Sequence, residues 1–321
     1  RHPLKVKKCT AHTPANIRAA QAADGAGLTD AHRKATADEL VAQGARVIGE
    51  VGAGGTLGGG QQEYLYIPKA VKERSGLQID AFQARALKEA VLGRTIDPAN
   101  LDRPALRRAI EASGLAGHMS EDAVIDTVQR CVLPSMAHAF EGLREAAAAA
   151  ARVDRHFIVH HAAASAEVVM EIASERMIAG HANHPSFTEE ESVRYARALR
   201  QRGALLEISG LDLFTRTKGK GDVTNFLALV RERLVDVVGT DYASGNYDPV
   251  SVPLAGIVRR RLATVPAAIA LATGNVARAL PGVFVAGLLE AGRPADIAVF
   301  SLTLDQVRAV YVDGRRVMRP H

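Results

Sequence analysis

A chain of 321 residues is long enough to bury a large core, and it fits one barrel-sized domain with a small appendage. With 47% hydrophobic and 23% charged residues it has a globular balance, and no apolar run reaches the roughly 18–20 residues that a membrane-spanning helix needs. The formal charge of +5 comes from basic residues spread along the chain, and with no Trp and 4% aromatics there is little on which bases could stack, so a solvated basic face is expected rather than a nucleic-acid surface.

In chain order, LKVKKCTAH (4–12) is a weak strand candidate and TADELVAQG (36–44) a helix. ARVIGEVGAGG (45–55) is a strong strand: an apolar run that ends in a glycine-rich turn. GAGGTLGGG (52–60) has no Lys-Ser/Thr behind it, so it reads as a loop and not as a phosphate-binding loop. Residues 60–130 are rich in Ala, Leu, Arg and Glu and read as a helical insertion, with helical periodicity in QIDAFQARALKEAVLG and NLDRPALRRAIEASG. A helix over 133–155 feeds the next strand.

From residue 156 onward strand and helix alternate. HFIVHHAAA (156–164), RMIAGHANH (176–184), ALLEISG (204–210) and VDVVGTDYASG (235–245) read as buried parallel strands. Between them AEVVMEIAS (166–174) and TEEESVRYARALRQRG (188–203) read as helices, the second with Thr188 as N-cap and a stop at Gly203. The tail changes character: PGVFVAGLLEAGRPADIAVFS (281–301) and VRAVYVDGRRV (307–317) predict short strands around Gly-Arg-Pro and Asp-Gly turns. Two cysteines, Cys9 and Cys131, make no disulfide framework, which with the absence of a secretory leader predicts a cytoplasmic protein.

Glu50, His160 or His161, His181 and Asp241 fall where buried strands end. In a parallel barrel those ends converge on one face, and two His with two carboxylates suit zinc or a similar divalent metal. Each has a plainer role available: Glu50 could pair with an arginine, His181 could hydrogen-bond in the core, and Asp241 could cap a turn. Strand side chains alternate, so one of His160 and His161 must point away from a barrel axis.

The order IGEVG, VHHAAAS, AGHANHPSF and VGTDYASG, followed by ATGNVARALPG, GLLEAGRPADIAVF and VRAVYVDGRRV, resembles the amidohydrolase superfamily, with the enamidase-like and imidazolonepropionase-like branch the nearest in pattern. The resemblance spans about residues 4–55 and 133–321. It implies an α/β fold, a (β/α)8 TIM-like barrel over 1–280 with a helical insertion at about 60–130, and part of a small β-sandwich over 281–321. It implies a site in which His160 and His181 are the histidines of the fifth and sixth strands, Asp241 the aspartate after the eighth, and Glu50 the bridging carboxylate. One or two divalent ions, zinc first, would activate water for cleavage of a C–N bond in an amide or cyclic amide-like small molecule. Asp241 would be the catalytic base, and His184 or His161 would hold the substrate oxyanion. A homo-oligomer is expected, with no nucleic-acid or membrane partner. A phosphoesterase-like barrel hydrolase and a non-catalytic binding protein are the alternatives.

One element of the family pattern is missing. The family's opening His-x-His pair occurs nowhere, and His12 stands alone in CTAHTP. The first two strands and half of the sandwich are therefore expected to lie outside this sequence. Arg216, Lys218 and Lys220 in TRTKGKGD (215–222) could meet an anionic substrate, but a solvated loop is the expectation.

Overall fold

Two units, Cys9–Ile172 and Ala173–His321 together with Arg1–Lys8, make up the computed structural model of the chain. It describes residues 5, 7–10, 13–23, 29–52, 61–210, 213–215, 222–241 and 248–318. His12, most of the 52–60 loop, Arg216, Lys218 and Lys220 lie outside these residues.

The Cys9–Ile172 unit is built on three parallel strands, β1 (Cys9–Thr10), β2 (Val47–Val51) and β3 (Phe157–His160), in that order. Between β1 and β2 run helices α1 (Pro14–Ala23), α2 (Asp30–Lys34) and α3 (Ala37–Ala42). Thr36 starts α3 with a capping box: its hydroxyl accepts the Glu39 N–H at 3.2 Å and the Glu39 carboxylate accepts the Thr36 N–H at 3.0 Å. Between β2 and β3 the chain is helical, as its composition predicts. A π-helical turn at Gln62–Tyr66 leads into α4 (Ile67–Ser75), α5 (Ala81–Leu92), α6 (Arg103–Ala112) and α7 (Glu121–Arg152). Asp80, Asp102 and Ser120 cap α5, α6 and α7.

Helix α7 differs from expectation. It starts at Glu121, not near 133, and runs 32 residues straight through Pro134. Proline removes one helical hydrogen bond, but the helix packs along α1, β2 and β3. Val128, Val132 and Leu143 are fully buried, at about 1.5–3 kcal/mol each, which offsets the lost bond. Burial also encloses charge in this helical stretch. Lys88 and Glu63 are buried, with Lys88 Nζ 2.5 Å from Glu63 Oε1 and Arg85 Nε 2.6 Å from Glu63 Oε2. A short helix α8 (Ala166–Glu171) closes the unit.

The second unit begins with three more parallel strands, β4 (Met177–Gly180), β5 (Leu205–Ser209) and β6 (Val237–Gly239), paired in that order. Helix α9 (Glu189–Gln201) joins β4 to β5, and α10 (Thr224–Arg231) joins β5 to β6. Thr188 caps α9 as its sequence predicts, accepting the Glu191 N–H at 3.2 Å. Helices α11 (Ser251–Arg259), α12 (Val265–Ala270) and α13 (Gly274–Ala279) follow β6. Strand, helix, parallel strand is the repeating unit from which (β/α) barrels are made, and both units follow it.

The tail forms an antiparallel sheet of β7 (Ile297–Phe300), β8 (Val307–Val312) and β9 (Arg315–Met318), turned at Asp313-Gly314 as expected. Lys5 Nζ, from near the start of the chain, meets Asp296 at 2.9 Å and Asp313 at 2.5 Å beside that turn. Of the short strands expected around Gly-Arg-Pro in 281–301, the one before the turn does not form: no residue of 281–296 is extended in a ladder. Gly282, Gly287 and Gly292 all have positive φ there, and such backbone cannot continue a strand. Among the described residues no helix is long and apolar enough to cross a membrane, and Cys9 and Cys131 are both free thiols.

Candidate functional site

Strands β2 and β3 carry the first pair of candidate ligands. Their register is uneven: Ile48 faces Phe157 and Val51 faces Val159, so β2 advances three residues while β3 advances two. The extra residue is a β-bulge at Gly49-Glu50, and a bulge re-aims the side chain it carries. Gly49 is required at this point. Its φ is +122°, and a Cβ there would lie 2.3 Å from the Ile158 carbonyl oxygen, far inside any real contact. The bulge turns Glu50 to His160, whose Nδ1 lies 2.8 Å from Glu50 Oε1. The His160 side chain is 9% exposed and that of Glu50 25%.

Beyond β3 the VHHAAAS turn is fastened by Ser165. Its hydroxyl donates to the His160 carbonyl at 2.9 Å and accepts the Ala162 N–H at 3.1 Å. His161, the next residue, is 1% exposed. Alternation along the strand therefore gives His160, not His161, to Glu50.

Strands β4, β5 and β6 carry the second pair. His181 follows directly on β4 and Asp241 stands two residues past β6, so both sit at C-terminal strand ends. Nδ1 of His181 is 3.7 Å from Asp241 Oδ2, with the two side chains 11% and 35% exposed. Both residues have left-handed backbone, with φ of 60° and 47°, a conformation that costs a non-glycine residue about 1–3 kcal/mol.

Four bonds to β5 hold the turn after β4. The His181 N–H donates to Glu207 Oε2 at 2.9 Å, the Ala182 N–H to the Glu207 carbonyl at 2.9 Å, and the buried Asn183 amide bonds reciprocally with Ser209, at 3.0 Å to its carbonyl and 2.8 Å from its N–H. His184 closes the same turn. Its N–H donates to the His181 carbonyl at 2.7 Å, and its Nδ1 faces Ser186 Oγ at 2.6 Å. That ring nitrogen is engaged locally.

Glu207, Asn183 and Asp248 were missed in the sequence. Asp248 is fully buried and accepts the Phe214 N–H at 2.8 Å and the Thr215 hydroxyl at 2.5 Å, fastening the segment after β5. The one sequence signal for Glu207 is a carboxylate inside an apolar strand run.

Two imidazoles and two carboxylates are the donor set of a borderline divalent ion such as zinc. Zinc bonds of 2.0–2.1 Å in a tetrahedron place adjacent ligand atoms about 3.3 Å apart. The 2.8 Å and 3.7 Å separations within the two pairs bracket that spacing, so each pair by itself fits as two adjacent ligands of such an ion.

The sequence profile of the amidohydrolase family matches residues 26–317. Among solved structures the chain is similar to a β-aspartyl dipeptidase from Fervidobacterium islandicum AW-1, with 14% identity, a TM-score of 0.41 and coverage of 57% of this chain and 53% of that one. It is also similar to a 5-methylcytosine deaminase from Klebsiella pneumoniae, with 15% identity, a TM-score of 0.43 and coverage of 82% and 81%. An atrazine chlorohydrolase from Arthrobacter aurescens TC1 complexed with zinc matches at 15% identity, TM-score 0.40, over 98% and 82%. The chain spans about half the length of the first of these. No curated protein sequence matches it. The profile runs from just before α2 into the last strand of the tail and takes in every candidate ligand, so the chain belongs to the amidohydrolase family.

Proposed function

We propose that the chain is a metal-dependent hydrolase that cleaves a C–N bond in an amide or cyclic amide-like small molecule. The observation that carries this reading is the placement of two histidine–carboxylate pairs, Glu50 with His160 and His181 with Asp241, at the C-terminal ends of parallel strands. That end of the strand is where enzymes of this architecture do chemistry.

Glu50 with His160, and His181 with Asp241, would serve as ligands to divalent metal, zinc first among the candidates. Such an ion supplies a hydroxide-like nucleophile near neutral pH and polarises the substrate carbonyl. Asp241 takes the proton of the attacking water and delivers it to the leaving nitrogen as the C–N bond breaks. Glu50 holds the His160 ring beside its own carboxylate through their 2.8 Å contact. Of the two oxyanion candidates, His161 is 1% exposed and His184 is half-buried with its Nδ1 engaged by Ser186, so an oxyanion contact from this pair would come from the other ring nitrogen of His184.

The test is metal content followed by turnover. His160→Ala and His181→Ala should each lower bound zinc by at least about 10-fold, since each removes a ligand. A chelator should abolish hydrolysis of amides and lactams, and zinc should restore it. Unchanged zinc in both variants rejects the ligand set. Turnover of phosphate esters with none of amides turns the reading to the phosphoesterase alternative.

A further inference from the structure

Nothing in the mechanism above uses Glu207, yet its carboxylate sits directly behind a proposed ligand. It lies mid-strand on β5, a partly buried acid between buried Leu206 and Ile208. Oε2 accepts the main-chain N–H of His181 at 2.9 Å. The Glu207 carbonyl accepts the next N–H, that of Ala182, at 2.9 Å. One residue therefore takes two successive amides of the turn in which His181 adopts φ of 60°. That conformation costs a non-glycine residue about 1–3 kcal/mol, and a charge-assisted bond from its amide to a carboxylate is a strong fastening for it.

Gly239 provides the space. A Cβ on Gly239 would lie 2.4 Å from Glu207 Oε1, so any other residue at this point of β6 would displace the carboxylate. Gly239 is also two residues before Asp241. Glu207 thus lies on the strand between the end of β4, which presents His181, and β6, which leads to Asp241.

We infer that Glu207 is a positioning residue: its carboxylate holds the His181 main chain in the left-handed turn that presents the imidazole as a ligand. It touches neither substrate nor reacting atoms. The inference rests on the reading of His181 as a metal ligand, and it deepens that reading by naming what orients the ligand.

Two measurements on the full chain test it. Hydrogen exchange at the His181 amide reports the bond itself, and zinc titration reports its consequence. Glu207→Ala should speed exchange at His181 by at least about 10-fold, because protection scales with the opening of the bond. It should also weaken zinc binding by about 10- to 100-fold, the usual effect of removing a group that orients a ligand. Glu207→Gln keeps a carbonyl oxygen able to accept the same N–H and should restore most of both. Gly239→Ala, which pushes the carboxylate away while leaving it present, should reproduce Glu207→Ala. Unchanged exchange at His181 in Glu207→Ala overturns the inference whatever the metal does. Faster exchange with wild-type zinc affinity, in a chain whose zinc binding does fall in His181→Ala, overturns the link to the ligand. Zinc binding indifferent to His181→Ala overturns the metal reading itself and the functional half of this inference with it, and the exchange result still decides the bond.

Discussion

Glu50 and His160 meet at 2.8 Å across a bulge, whereas His181 and Asp241 stand 3.7 Å apart on left-handed backbone. The first pair is closed by its own side chains, and the main-chain device behind it is steric: Gly49 lets the two strands approach. The second pair is held open by its main chain: Glu207 binds the His181 turn from β5, and Asn183, in that turn, reaches across to Ser209 of β5. Two ways of presenting a histidine and a carboxylate therefore coexist in one chain. A side-chain contact tolerates small backbone shifts, because the side chains can follow. A pair placed by strained backbone has no such slack, and its geometry depends on the clamp. The first pair should be sensitive to packing and the second to the loss of single hydrogen bonds.

The largest effect should come from the steric device. Gly49→Ala drives a Cβ into the Ile158 carbonyl oxygen and should cost about 3 kcal/mol or more, as strained backbone and overpacking together do. Thermal or denaturant unfolding measures it. A loss under 1 kcal/mol would mean that the bulge relaxes freely and the first pair is not set by packing. Next is Asp241→Asn, which keeps shape and removes the base. Turnover should fall at least about 100-fold with the fold intact. If Asp241 only caps a turn, the outcome is instead a stability loss of about 1 kcal/mol with near-normal turnover. Melting temperature, zinc content and turnover on one preparation separate the two.

Asn183→Ala sharpens the comparison at smaller scale. It leaves the Ser209 N–H and carbonyl without the bonds Asn183 makes to them, at about 1–3 kcal/mol, and should weaken zinc binding more than a change of equal stability cost near the first pair. Equal effects on zinc would erase the distinction between the pairs. The smallest effect is that of Thr188→Ala, which removes the α9 cap for about 1 kcal/mol. It lies seven residues beyond His181, outside the clamp, and should leave zinc affinity unchanged. A parallel fall in zinc affinity would mean that the turn after β4 depends on α9 as well as on β5.

Periodicity and apolar runs were enough to place most elements. The strands around Val47–Val51, Phe157–His160, Met177–Gly180, Leu205–Ser209 and Val237–Gly239 are continuous apolar segments, and the helices of the 60–130 stretch announce themselves by their 3.6-residue pattern. The strand-end positions of the candidate ligands were legible for the same reason: each is a polar residue at the end of a buried apolar run. Helix α7 shows where local rules stop. Pro134 reads as a boundary, yet burial along one face carries the helix through it. The tail shows the opposite failure, since PGVFVAG has the composition of a strand but glycines at positive φ on either side.

The sequence by itself determined the family, the alternation of parallel strands with helices, and which histidines and acids stand at strand ends, because all of these follow from residue type and spacing along one segment. Only the tertiary structure decided that His160 and not His161 faces Glu50, that β2 bulges at Gly49, and that Glu207 and Asn183 clamp the His181 turn. Each of these depends on atoms far apart in the chain. Ile158 is 109 residues from Gly49, and Glu207 is 26 from His181. A one-residue change of register would exchange one face of a strand for the other. No local pattern sets that register; the packed strands do.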